Sequence, residues 1–126
     1  MTFSIAKQFT FSASHELSQM QDGHPCKNVH GHNYVVEVEL CGDVNEQGMI
    51  LDYHELKPLK EYLDRTFDHH HLNDVVDFHP TAENLARHLF DWCKQRWEQV
   101  AAVRVSETPK TWAEYRGRRM TKRGPA

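Results

Sequence analysis

Two stretches of this chain alternate apolar and polar residues with period two, and they commit it to a fold built on paired β-strands. In residues 2–15, Phe3, Ile5, Phe9, Phe11 and Ala13 share one face and Thr2, Ser4, Gln8, Thr10 and Ser12 the other; Lys7 interrupts the apolar face. In residues 32–41, Tyr34, Val36, Val38 and Leu40 point one way and Asn33, Glu37 and Glu39 the other. Successive side chains of a strand leave opposite faces, so each pattern reads as a half-buried strand. Between them, residues 16–29 contain Gly23 and Pro25 and show no period, which predicts a long loop of the kind that often carries function.

The rest of the chain follows in the same way. Gly42 to Gly48 reads as a turn region and Met49–Leu51 as a short third strand. Asp52 and Glu55 resemble a capping box ahead of Leu56, Leu59 and Leu63 at helical spacing. Pro58 conflicts with a helix interior, where it costs about 3 kcal/mol, so this helix either begins near residue 56 or is kinked. Residues 67–80 form a polar, His-rich loop. Thr81 is a good N-cap for a second helix with Leu85, Leu89 and Trp92 on one face. Residues 100–108 read as a strand, and 111–115 as a last one across a tight turn at Pro109-Lys110. The order β-β-β-α-α-β-β predicts an α+β domain with an antiparallel sheet, spanning residues 1–116, followed by a basic tail at 117–126.

Composition narrows the function classes. With 126 residues and 39% hydrophobic content the chain builds one small core. A formal net charge of -3 does not suggest nucleic acid or an anionic membrane as partner. Five basic residues (Arg116, Arg118, Arg119, Lys122 and Arg123) and no acid fall after Tyr115, so the remainder carries ten basic against eighteen acidic side chains. The three cysteines, Cys26, Cys41 and Cys93, are odd in number and form no Cys-x-x-Cys pair, which suits a reducing cytoplasm. No signal-peptide pattern opens the chain, and no apolar run approaches the roughly 18 residues of a membrane span.

Histidine is the abundant residue: ten, clustered at 15, 24, 30 and 32 and again at 69, 70, 71 and 79. His30 and His32 flank Gly31 and so share a strand face. His15 ends the apolar face of the first strand, and antiparallel pairing would set it beside the start of the second. The three imidazoles then converge at one rim, a donor set suited to a catalytic zinc with its fourth position open. Gly31 is expected to let the backbone turn closely beside the ion. Cys26, four residues before His30, is either an inert buried thiol or a thiolate favoured by a nearby cation, acting as nucleophile, base or fourth ligand. Asp68-His69-His70-His71 is either an acid–base pair with its neighbours, a hydrogen-bonded turn or a second metal site. Glu107 is a sheet-edge charge or an anchor offering two parallel acceptors to a guanidine-like N–H pair.

Taken together these residues resemble a known family. Cys26-Lys27-Asn28-Val29-His30-Gly31-His32 with His15 upstream is similar to the signature of the 6-pyruvoyl-tetrahydropterin synthase family, and the three-residue gap between Cys26 and His30 to its bacterial 6-carboxy-5,6,7,8-tetrahydropterin synthase branch in queuosine biosynthesis. The likeness runs on through Gly48 to Tyr53, Leu56-Lys57, Asp68-His69-His70, Leu72-Asn73-Asp74, Pro80 to Asn84 and Glu107-Thr108. It implies zinc on His15, His30 and His32, Cys26 as catalytic cysteine, Asp68 and His69 as acid–base pair, and Glu107 as the carboxylate that grips a pterin ring, with Thr108 and Lys27 as further substrate contacts. It also implies the tunnelling fold: a four-stranded antiparallel sheet with two helices on one face, its subunits forming β-barrels as trimers or dimers of trimers. The implied substrate is a pterin triphosphate. A pyruvoyl-branch enzyme, a non-catalytic zinc or pterin module with Cys26 as fourth ligand, and a zinc hydrolase using Glu16 are the rival readings.

Overall fold

The computed structural model describes residues 2–117, so the expected tail beyond Gly117 lies outside the described residues. The two alternating stretches form long strands, β1 (Phe3–His15) and β2 (His30–Gly42), paired antiparallel over their whole length from Phe3↔Gly42 to His15↔His30. β4 (Val100–Thr108) pairs antiparallel with β2, and β5 (Thr111–Arg116) with β4. Helices α1 (Lys57–Thr66) and α3 (Ala82–Lys94) contribute Leu59, Leu63, Leu85, Ala86 and Leu89 to one core with Phe9, Phe11, Tyr34, Val36, Val38, Val103 and Val105. Burying a Leu or Val fully contributes about 1.5–3 kcal/mol, so this face fixes the strand register, because a one-residue slip would turn the whole apolar set to water.

The opposite face is polar. Arg104 bridges Glu37 and Glu114, and Arg116 bridges Glu39 and Glu114. Exposed pairs of this kind contribute about 0–1 kcal/mol each, so they mark a solvated face more than they stabilise it. Lys7, the interruption in the apolar stripe, lies on the core side but carries its ammonium over the Phe9 ring at 5.4 Å from the centroid. Its stem covers apolar surface while the charge stays near water.

Three expectations need correction. Among the described residues the sheet has five strands, a short β3 (His70–His71) joining the four above in the order β3-β1-β2-β4-β5. The extra strand runs parallel to β1 through Ala13↔His70 and Ser14↔His71. Two histidines in a polar loop carry no apolar alternation, so nothing local announces it. Met49–Leu51 does not form a strand: Ile50 and Leu51 turn into the core at 7% and 8% exposure and close its end. Among the described residues the helices number three, because residues Leu72–Val75 form a single turn, α2, with Leu72 fully buried. Pro58 is accommodated by the first alternative: a 3-10 turn, Tyr53–Leu56, precedes α1, and Pro58 falls in the first helical turn, where a missing N–H costs nothing. Asp52 caps the 3-10 turn by accepting from the His54 N–H rather than forming a box with Glu55. Thr81 caps α3 as expected, accepting from the Asn84 N–H at 3.1 Å. No described helix is long and apolar enough to cross a membrane.

Candidate metal centre

Strand pairing brings the first three histidines together. His15 faces His30 across the β1–β2 ladder and His32 faces Ala13, so all three rings leave the same face at its rim. Their ligand nitrogens lie within 4.8 Å of one another, and among the described residues they are the group suited to hold a metal ion. Two nitrogens on one tetrahedral zinc stand roughly 3.3 Å apart, given Zn–N bonds near 2.0–2.1 Å. The observed His15 Nε2 to His30 Nε2 separation is 3.0 Å.

Hydrogen bonds to backbone carbonyls fix which nitrogens are free. His15 Nδ1 lies 2.8 Å from the Pro80 carbonyl oxygen, and His30 Nδ1 lies 2.7 Å from that of Asn28. A carbonyl only accepts, so both Nδ1 atoms carry the proton and both Nε2 atoms of the neutral rings present lone pairs. Those lone pairs face each other. A cation between them converts that repulsion into coordination, and carbonyl-held imidazoles of this kind are the usual support of a metal ligand. The donor set therefore fits zinc.

Burial supports the neutral state. His15 is fully buried, and its pKa falls from 6.5 to about 4 through desolvation, reinforced by the nearby His30, His32 and His71 and opposed by the bond to Pro80. His32 is lowered as well, by desolvation and then by His30. Tyr34, buried beneath them with its hydroxyl 3.2 Å from His15 Nδ1, has its pKa raised by burial and remains a neutral phenol.

The second histidine cluster is zipped along the free edge of β1. Asp68 Oδ1 accepts the Ser12 N–H at 2.8 Å, and the His69 N–H donates to the Ser12 carbonyl at 2.6 Å. Asn73 clamps Glu16 by both backbone groups at 2.9 Å, accepting from its N–H and donating to its carbonyl. The other Asp68 oxygen, Oδ2, lies 2.9 Å from His69 Nδ1. The Ser12 N–H, then His69, hold the Asp68 carboxyl below its ordinary pKa, so it stays ionised. His69 sits at φ 61°, among the described residues the one non-glycine in the left-handed region. That conformation costs about 1–2 kcal/mol and aims an 83% exposed ring outward. His69 and His32 line one open cleft of about 470 Å³ with Ser12, Ser14 and Asn33. His71 is diverted to Ser14 and Glu16, and Glu16 is not part of the metal group, which gives the hydrolase reading no support.

Glu107 continues the inner face of β4 and brings Oε2 to 3.5 Å from His15 Nε2. Burial raises its pKa, while His30 opposes and Glu83 adds to the rise. Glu107, Thr108 and His32 line a second cleft of about 520 Å³ with Trp112. Thr108 itself bridges the β4–β5 turn through its hydroxyl, 3.0 Å from that of Thr111. Gly31 has ordinary extended backbone; its part is to line both clefts, rather than to turn beside an ion.

Cys26 lies in a 3-10 turn, Pro25–Lys27, half-buried. Its backbone ties the loop down: its N–H donates to His24 Nδ1, and its carbonyl accepts from Leu17. The thiol is not part of the metal group, which gives no support to a four-ligand structural site built on it. Lys27 is paired with Asp22. The carbonyls of Pro80 and Asn28 and the clamp of Asn73 escaped sequence reasoning; Pro80 and Asn73 sat in recognised motifs, but a carbonyl's direction leaves no mark on residue type.

A family model described as 6-pyruvoyl tetrahydropterin synthase matches residues 4–118. The chain belongs to this family. A relative from Archaeoglobus fulgidus, provisionally named 6-carboxy-5,6,7,8-tetrahydropterin synthase, is 40% identical over 108 residues, covering 85% of this chain and 90% of its own length. The Haemophilus influenzae protein of that name is 31% identical over 142 residues, covering 90% and 98%. The solved structure of Caenorhabditis elegans 6-pyruvoyl tetrahydropterin synthase superposes with a TM-score of 0.83 at 31% identity, over 94% of this chain and 97% of that one. The protein is thus a pterin synthase of the 6-pyruvoyl tetrahydropterin synthase family, with bacterial and archaeal relatives bearing the carboxy name and eukaryotic ones the pyruvoyl name.

Proposed function

We propose that this protein is a zinc-dependent 6-carboxy-5,6,7,8-tetrahydropterin synthase, converting 7,8-dihydroneopterin triphosphate to 6-carboxy-tetrahydropterin, acetaldehyde and triphosphate in queuosine biosynthesis. The observation that carries the reading is the triad of His15, His30 and His32, with two of its rings proton-locked by carbonyls; His32 and His69, the partner of Asp68, line one cleft. Zinc bound there would act as a Lewis acid on the side-chain hydroxyls of the substrate. Asp68 orients His69 so that its outer nitrogen exchanges a proton with the substrate, a contribution typically worth 10²–10⁴-fold. Cys26, as thiolate, takes a proton from carbon on the other side; the branch-like gap to His30 supports that role. Glu107 accepts the paired N–H groups of the pterin ring and sets the reacting atoms in one geometry, with Thr108 beside it. Both clefts are open, which favours an oligomer in which neighbouring subunits complete them, in a cytoplasmic enzyme.

The test is to incubate zinc-loaded protein with 7,8-dihydroneopterin triphosphate and identify every product. Acetaldehyde in step with substrate loss is expected. Triphosphate release with the side-chain carbons retained would assign the pyruvoyl reaction instead, the reading that the Caenorhabditis elegans likeness favours.

A further inference from the structure

The cleft of about 470 Å³ beside the two histidine clusters differs in charge from the chain around it. Acids outnumber Lys and Arg in the sequence, eighteen to fifteen, yet no Asp or Glu among the described residues lines this hollow. Its walls include Ser12 and Ser14 of β1, His32 and Asn33 of β2, and His69 and His70 of the connection that follows α1. Two acids bond to histidines of that connection and are spent there: Asp68 on the Ser12 N–H and His69, Glu16 on His71. The second cleft, in contrast, carries the Glu107 carboxylate, which disfavours an anion.

Two side chains of the first cleft have hydrogen-bonding capacity left over. Asn33 Oδ1 accepts from the Ser12 hydroxyl at 2.7 Å, so the amide keeps its NH2 end, with two N–H donors, for another partner. His70 Nδ1 lies 2.8 Å from the Asp68 carbonyl oxygen, which only accepts; the ring proton is therefore there, and Nε2 of this exposed side chain is left over. Opposite a phosphate, Nε2 accepts from a P–OH as the neutral ring or donates to a P–O⁻ as imidazolium. An open hollow walled by hydroxyls, an amide and imidazoles suits a chain of phosphoryl oxygens better than a flat apolar ring.

Resting on the synthase reading above, we propose that this cleft holds the triphosphate of the substrate, with Asn33 and His70 as its positioning residues. Connectivity supports the placement. His32 is both a wall of the cleft and one of the three rings of the metal group. In 7,8-dihydroneopterin triphosphate the phosphates leave the terminal carbon of the three-carbon side chain, next to the carbons that bear the free hydroxyls. A side chain whose hydroxyls sit at the histidine rim thus sends its phosphates into the hollow beside His32. Anchoring that far end keeps the near carbons in one geometry against His69.

The test uses the full, zinc-loaded chain and two probes: inorganic triphosphate, and 7,8-dihydroneopterin, which lacks the phosphates. Asn33→Asp keeps an acceptor for the Ser12 hydroxyl and exchanges two donors for a negative charge; His70→Ala removes the outward nitrogen. At equal zinc content, each should weaken binding of inorganic triphosphate about 10-fold by calorimetry, Asn33→Asp the more. Each should raise the KM of the triphosphate substrate by a similar factor, with kcat within about 3-fold, and leave inhibition by 7,8-dihydroneopterin unchanged. A merely structural role would weaken both probes alike, and that result would overturn the proposal. Wild-type affinity for inorganic triphosphate in both variants would do the same. Calorimetry needs no turnover, so the two readings fail separately: wild-type protein that converts no substrate sinks the synthase reading, whereas conversion with unaltered triphosphate binding in both variants sinks the cleft alone.

Discussion

The two histidine clusters of this chain were built by different physics. His15, His30 and His32 sit on two long strands whose apolar faces anchor their register, and the most buried of them is fully enclosed. His69, His70 and His71 sit on a connection that has no apolar pattern and is held by hydrogen bonds to the β1 edge, with one residue in a costly backbone conformation. The first cluster is placed by packing, which tolerates surface change. The second is placed by a few polar contacts and by strain, so small changes should shift it. A rigid metal rim beside a tensioned acid–base loop is a sensible division, since ligands need fixed positions and a proton-transferring ring needs a set direction.

The comparison breaks most completely at the rim. His30→Ala should lose both bound zinc and turnover, with activity down at least about 10³-fold; metal content by atomic emission checks it, and retained stoichiometric zinc would mean the ligand set is wrong. Asp68→Asn keeps an acceptor for the Ser12 N–H but removes the charge opposite His69. It should leave zinc in place and lower kcat about 10²-fold or more. An unchanged kcat would reduce the pair to a structural tie. Cys26→Ala should likewise retain zinc and abolish turnover, and full activity would remove the thiolate from the mechanism.

Stability sharpens the same contrast. In metal-free protein the pKa of His15 is about 4, against 6.5 in the unfolded chain. Between those values the unfolded chain holds a proton that the folded one does not, so protons favour unfolding. Stability should be full above pH 6.5 and decline as pH falls towards 4, by on the order of 3 kcal/mol at most. Denaturant midpoints across that range test it, and His15→Gln should flatten the slope. The smallest effect belongs to the strained loop. At position 69, Gly should be more stable than Ala by about 1 kcal/mol, the reverse of the usual order, because only Gly adopts φ 61° freely. Equal melting temperatures for the two variants would show that the loop relaxes and carries no strain.

Much of this was legible in the residues. Alternation in 2–15 and 32–41 gave the two long strands, and i, i+2 phasing placed His15, His30 and His32 on one face, because side-chain direction along a strand is a local property. Thr81 as a cap and the Pro109-Lys110 turn were local too. The ordered motifs from His15 to Glu107 pointed to the family that the comparisons then showed. Other features depended on partners far away in the chain. β3 exists because His70 and His71 find the open edge of β1, and the proton on His15 is set by a carbonyl at Pro80, 65 residues on. Glu107 meets His15 only once β4 has docked beside β2. Period and residue type decided which faces are buried and which residues bear chemistry. The tertiary structure decided which nitrogen lone pairs are free and what they face, since a hydrogen bond between distant segments leaves no periodicity in either one.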